Sequence, residues 1–196
     1  SWSADEIDLQ PRPANFADIE QHLTSFESSL IIAAFGFNES FAGNKGKKDF
    51  EIRFIKFLND LKSKTYNGIS APKVVIISPI PNENVAGVNA ADMNNANLEK
   101  YTHIMEKVAM VEKVGFVNSY QYLLPRMDDL SDYLTINGCH LNEMGYLEFS
   151  KVLFQSIFSK SIPPLDNDVK AAVIEKNNQH FFRYRPLNTF YYTGGR

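Results

Sequence analysis

Cysteine is almost missing from this sequence. One residue, Cys139, stands among 196, which excludes an internal disulfide framework and a cysteine-built zinc site. An excess of positive charge is missing as well: 20 Lys and Arg face 23 Asp and Glu, a formal net charge of -3. A basic, phosphate-tracking surface is therefore not the theme of the chain, and nucleic acid is not an expected partner. Long hydrophobic runs are also missing. The stretch from Leu30 to Phe37 is among the longest and falls far short of a bilayer span. No secretory leader, internal repeat or low-complexity tract is visible, and the chain opens on Ser1 rather than methionine, so an upstream segment is expected. What is present, 44% hydrophobic, 22% charged and 13% aromatic residues, suits one soluble globular domain able to bury a sizeable core.

Buried strands alternate with amphipathic helices along the chain. Leu30–Phe35 is a short continuous apolar run closed by Gly36, the pattern of a strand buried on both faces. Lys73–Ser78 is a second, β-branched and closed by Pro79 and Pro81, and Gly115–Asn118 is a weaker third. A short helix is expected over Asn15–Phe26. Phe50, Phe54, Phe57, Leu58 and Leu61 share one helical face, and Leu98, Tyr101, Met105 and Val108 share another. Asn142 can cap a further helix bearing Tyr146, Phe149, Val152, Leu153 and Ile157, and Asp166 starts a last helical stretch leading into an aromatic and basic tail. The pattern predicts an α/β fold with a parallel sheet between helices, whose chemistry gathers at the carboxyl ends of the strands.

Two short segments after predicted strands carry chemistry. In Gly36-Phe37-Asn38, the glycine lets the chain turn sharply, and the Asn38 amide can donate a hydrogen bond to a developing oxyanion. In Asn137-Gly138-Cys139-His140, a histidine stands just before a helix, where an imidazole can act as general base toward a hydroxyl. No residue set suggests a metal or an organic cofactor.

Together these segments resemble the SGNH (GDSL-type) hydrolases. That family carries a nucleophilic serine in Gly-Asp-Ser, an oxyanion glycine, an oxyanion asparagine in Gly-x-Asn, and Asp-x-x-His. Gly36-Phe37-Asn38 is similar to the third block, and His140 with its Leu-Asn-Glu-Met-Gly-Tyr sequel to the fourth. Ser1-Trp2-Ser3-Ala4-Asp5 resembles the second, with Ala4 in the glycine's place, where its backbone N–H would serve the oxyanion. The resemblance implies a three-layer, flavodoxin-like SGNH domain over residues 1–162, followed by a helical and aromatic extension over 163–196. That extension, with Phe181, Phe182, Tyr184, Phe190, Tyr191 and Tyr192 among Arg183 and Arg185, is similar to one following SGNH domains in large, exported bacterial proteins. An extracytoplasmic location is implied by that resemblance alone.

The sequence departs from the family at three points. Gly-Asp-Ser is absent; Ser1 and Ser3 fall in the second block, and Ser78 follows a strand where a structural role is expected. Cys139 neighbours His140 in sequence, and adjacent side chains rarely face one another well enough for proton transfer, so it reads as a small buried thiol. Asn137 stands at the position of the triad aspartate, Asp132 and Glu143 lack the motif spacing, and Ala4 replaces glycine. In the family the Gly-Asp-Ser strand is the first of the sheet and lies centrally. The nucleophile strand is thus expected outside this chain, on an upstream segment or a companion chain that completes the sheet, because a parallel sheet without its central strand leaves backbone groups unpaired. Two functions follow as expectations. One is a serine esterase acting on a small ester or an acylated carbohydrate, with His140 as base and Asn38 and Ala4 at the oxyanion. The other is an inactive SGNH-like structural or binding subunit whose aromatic tail meets a protein partner.

Overall fold

β-Branched and apolar residues at strand spacing build a three-stranded parallel sheet from β1 (Leu30–Ala34), β2 (Lys73–Ile77) and β3 (Gly115–Val117), in the order β1-β2-β3. The structure, a computed structural model, describes residues 5–8, 17–129 and 132–184. Pairing is in register from Leu30 opposite Lys73 to Ala34 opposite Ile77, and from Val75 opposite Gly115 to Ile77 opposite Val117. Helices α1 (Ile19–Ser25), α2 (Gly43–Lys62), α3 (Ala91–Glu112), α4 (Ser119–Asp129) and α5 (Glu143–Phe158) surround it. The described residues divide between two compact units at Lys160/Ser161. The second unit contains α6 (Asn167–Tyr184), whose first N–H groups at Asp168 and Val169 bond to the Asp166 carboxylate.

The alternation of side chains along each strand sorts the core into two layers. Ile31, Ala33, Val74 and Ile76 point to one face, where Phe50, Phe54, Leu58 and Leu61 of α2 and Tyr101, Met105 and Val108 of α3 close over them. Phe54, Leu58, Tyr101 and Met105 are completely buried. Burying each such side chain stabilises the fold by about 1.5–3 kcal/mol. Ile77, Val117 and Val75 point to the other face, against Val152, Phe149, Leu153 and Ile157 of α5. The first unit is therefore an α/β domain of three layers.

Two expectations need correction, and one helix was not expected. β1 is not buried on both faces: Leu30 and Ile32 are 48% and 50% exposed, because α5 packs on this face over β2 and β3 while the residues of β1 there remain open. Tyr146 is 63% exposed instead of joining the buried face of α5. A helix, α4, was not read from the sequence, because Pro125 lies inside it. The Arg126 guanidinium stacks 3.6 Å above the Tyr122 ring on that helix and bonds to Glu148 of α5, so tertiary contacts support the interrupted segment. α1 starts at Ile19, where Asp18 and Gln21 form a reciprocal cap; the beginning of the expected helix, at Asn15, lies outside the described residues.

Candidate active site

The carboxyl ends of β1 and β2 open into a cavity of about 170 Å³, lined by Gly36 and Asn38 together with Asp5, Ser78, Pro79 and Phe149. Gly36 turns the chain out of β1 with φ +99°, and a β-carbon there would come within 2.8 Å of Met105 Sδ and 3.2 Å of Pro79 Cγ. Any other residue at this turn would be strained in its backbone and would press on the core. The turn delivers Asn38, whose Nδ2 donates to the carbonyl of Asp5 at 2.9 Å. Asp5 follows Ala4 in sequence; Ala4 itself, with Ser1 and Ser3, lies outside the described residues.

Glu39, next to Asn38, holds this corner together. Its two carboxylate oxygens accept from the N–H groups of Gly36 (2.8 Å) and Ile7 (3.0 Å), and Arg53 of α2 pairs with Glu6 at 2.9 Å and with Asp8. Burial pushes the Glu39 carboxyl above its ordinary range, against the two N–H bonds, which pull it down. The folded state thus keeps a proton that the unfolded chain has already released. The stability linked to this proton is present below the unfolded pKa and lost as pH rises through the folded one. Replacing Glu39 with Gln removes the ionisation, so wild type should lose Tm relative to Glu39→Gln as pH rises from about 4 to about 7. Thermal melts of both proteins across that range check this, and a pH-independent difference contradicts it.

The histidine segment is a closed turn. Thr135 bridges Leu141 in antiparallel fashion, Ile136 N–H donates to His140 O at 2.8 Å, and Asn142 N–H donates to Leu134 O at 2.9 Å. Asn142 then caps α5 by accepting from Gly145 N–H at 2.9 Å, as its position before the apolar run implies. Inside the turn, Asn137 Oδ1 accepts from the backbone N–H groups of Cys139 (3.3 Å) and His140 (3.0 Å). Those donors decide which end of the amide faces inward. The same oxygen meets His140 Nδ1 at 3.0 Å, a contact that suits the Nδ1–H tautomer, in which Nε2 is the accepting nitrogen. His140 and Asn137 are exposed to solvent. Neither lines the cavity beside Asn38; the two parts are joined through α5, which begins after His140 and contributes Phe149 to the cavity wall.

No protein-family model matches the sequence, and a search of curated proteins finds no match. Solved structures do match. Axe2, an acetylxylan esterase from Geobacillus stearothermophilus, superposes with a TM-score of 0.55 at 11% identity over 74% of this chain and 67% of its own. A catalytic mutant of Axe2 gives a TM-score of 0.54 at 12% identity over 68% of this chain and 61% of that chain. A protein from Parabacteroides merdae described as a GDSL-like lipase gives 0.56 at 16% identity over 68% of this chain and 62% of its own. The fold is that of the SGNH (GDSL-type) hydrolases. The present chain spans 61–67% of the length of these three structures.

Ser78 has the structural role expected of it, whereas Cys139 departs from its expectation. Ser78 is buried, accepts from Tyr120 N–H at 3.0 Å and lies 3.1 Å from Ser119 Oγ, so its hydroxyl ties the end of β2 to the start of α4 and meets no base among the described residues. Cys139, in contrast, does face its neighbour: Sγ lies 3.3 Å from His140 Nδ1. The tight turn about Asn137 brings the adjacent side chains together, contrary to the sequence expectation. Burial pushes the thiol above its ordinary range, which keeps it protonated and poorly nucleophilic. Asp132 and Glu143 make no hydrogen bond to the imidazole among the described residues; its ring partners are Asn137 and Cys139.

Sequence reasoning missed Glu39 and Glu83. Glu83, only 3% exposed, accepts from Leu134 N–H and Thr135 N–H, both at 2.8 Å, and from the Thr135 hydroxyl. No local signal in the sequence marks either carboxylate as buried; each is recognised only when a distant backbone folds over it. Among the described residues no helix is long and apolar enough to cross a membrane, and no group of three or more His, Cys, Asp or Glu side chains gathers as for a metal ion.

Proposed function

We propose that this chain carries the acid–base half of a serine ester hydrolase. The observation that carries the reading is the 3.0 Å contact between Asn137 Oδ1 and His140 Nδ1, on an SGNH fold. Catalytic mutants of Axe2 replace a serine, an aspartate and a histidine three residues after that aspartate, and Asn137 and His140 have the same spacing. His140 Nε2 takes the proton of a serine hydroxyl as it attacks an ester carbonyl and returns it to the leaving alcohol. Asn38, with the backbone N–H of Ala4, stabilises the oxyanion, and Gly36 supplies the turn that aims Asn38. The acyl-enzyme is then released by water that His140 activates. An acetyl or short acyl group on a carbohydrate is the substrate class suggested by the acetylxylan esterases among the structural neighbours. No metal or organic cofactor enters this chemistry. The resemblance of the tail adds export and a bacterial source to the reading.

The serine arrives on a strand contributed by an upstream segment or a companion chain. In support, β1 pairs only with β2 among the described residues, and Leu30 and Ile32 leave an apolar strip open beside that edge. A strand with unpaired N–H and C=O groups next to exposed apolar side chains is the natural seat of another strand and its helix. A second reading, an inactive SGNH-like binding subunit, is favoured by Asn137, since an amide orients an imidazole without stabilising its charged form. Exposed Phe181 and Phe182 on α6 suit a protein partner in that case.

Labelling of the intact protein with a fluorophosphonate probe separates the two. Expected is one labelled serine, mapped by peptide mass spectrometry to a segment other than Ser78, with labelling lost in His140→Ala. No labelling under conditions that modify a control serine hydrolase supports the inactive subunit.

A further inference from the structure

Glu83 sits far in sequence from the histidine turn, yet it grips that turn on both sides of Asn137. Its carboxylate takes the N–H groups of Leu134 and Thr135 before Asn137, and its own N–H donates at 2.8 Å to the carbonyl of Gly138 just after it. The Thr135 hydroxyl extends the grip: it donates to Glu83 Oε2 and accepts from Gly138 N–H at 3.0 Å. Asn82, the preceding residue, is locked to α3 by a reciprocal pair with Asn95, at 2.7 and 2.8 Å, and by Asn94 Nδ2 at 2.7 Å. The helix α3, a buried carboxylate and the 135–138 turn are thus connected by hydrogen bonds in series.

We infer that Glu83 is the positioning residue for His140, holding the 135–138 turn so that Asn137 Oδ1 meets Nδ1 and leaves Nε2 as the accepting nitrogen. The inference deepens the esterase reading and rests on it for its catalytic meaning. The chemistry demands a carboxylate. Three donors converge on two oxygens, and a glutamine would turn its NH2 group against at least one of them. Leu134 or Thr135 would then swing away, the turn would open, and the imidazole would lose the acceptor that selects its tautomer.

The test combines a tautomer measurement with kinetics on the intact protein. Long-range 1H–15N spectra of the His140 ring report the tautomer whether or not the protein hydrolyses esters. Wild type is expected to hold the Nδ1–H form, and Glu83→Gln to shift toward Nε2–H while keeping its circular dichroism. Its kcat on p-nitrophenyl acetate should fall about a hundredfold with KM within about twofold, as for a displaced base rather than a damaged binding site. Thr135→Val, which removes the hydroxyl, should shift the tautomer in the same direction, and Thr135→Ser should hold it. If Glu83→Gln fails to fold, the Thr135 pair decides on the same spectra. An Nδ1–H tautomer unchanged in the folded Glu83→Gln or in Thr135→Val overturns the inference. A shifted tautomer in a protein that hydrolyses nothing supports the positioning role and sinks the esterase reading instead.

Discussion

Replacing His140 with Ala should lower hydrolysis of p-nitrophenyl acetate by the intact protein by about a hundredfold to ten-thousandfold, the usual share of a general base. The argument rests on one nitrogen. Asn137 Oδ1 is pinned by two backbone donors, those of Cys139 and His140, and so presents an acceptor to Nδ1 in a fixed direction. Nε2 is left as the only strong base on the turn, since the Cys139 thiol is held protonated by its burial. Equal rates in wild type and His140→Ala would remove this site from the reaction. Asn137→Asp gives the complementary result. A carboxylate can accept the same bonds and also stabilise the imidazolium that forms during attack, so kcat should rise on the order of tenfold or more. An unchanged kcat would mean that proton transfer to His140 does not limit the rate.

Gly145→Ala should be the most damaging small substitution in the site. Gly145 is buried in the first turn of α5, and a β-carbon there would lie 2.0 Å from Leu134 O and 2.8 Å from Leu141 Cδ2. The oxygen cannot step aside cheaply. It accepts Asn142 N–H, while the N–H of Leu134 is held by Glu83. Either α5 or the histidine turn must shift, and both carry the site. Overpacking against fixed backbone should cost about 3 kcal/mol, which for a domain of this size lowers Tm by about 6–12 °C. Esterase activity should fall with it, because His140 lies on the displaced turn. Thermal melts and kinetics of the variant check both; a Tm within about 2 °C of wild type would mean that the turn is looser than its hydrogen bonds imply.

Much of the architecture could be read from the residues because it follows from periodicity. The β-branched run at Lys73–Ile77, the paired phenylalanines of α2 and the Leu98, Tyr101, Met105, Val108 stripe of α3 each declare one buried face, and the sheet and its main core layer follow. α4 escaped because Pro125 breaks the local pattern while Arg126 restores the helix through Tyr122 and Glu148, contacts of tertiary origin. In the site, Asn137 and His140 are three positions apart; the family resemblance set Asn137 at the aspartate's place, and the structure brings its Oδ1 to 3.0 Å from His140 Nδ1. Cys139 shows the limit of that logic: the general rule for adjacent side chains failed because this turn is unusually tight.

The sequence by itself determined the alternation of strand and helix, the parallel sheet, and the Gly36 turn that brings Asn38 to the end of β1, because these depend on local spacing and turn chemistry. Only the tertiary structure decided that β1 keeps an exposed face, that Ser78 is sequestered, and that Glu39 and Glu83 are buried anchors. The physical reason is the same in each case. Burial of a strand face, and the pairing of a carboxylate with backbone donors 32 to 52 positions away, as for Glu39 with Ile7 and Glu83 with Thr135, depend on which segments meet, and no local pattern encodes that meeting.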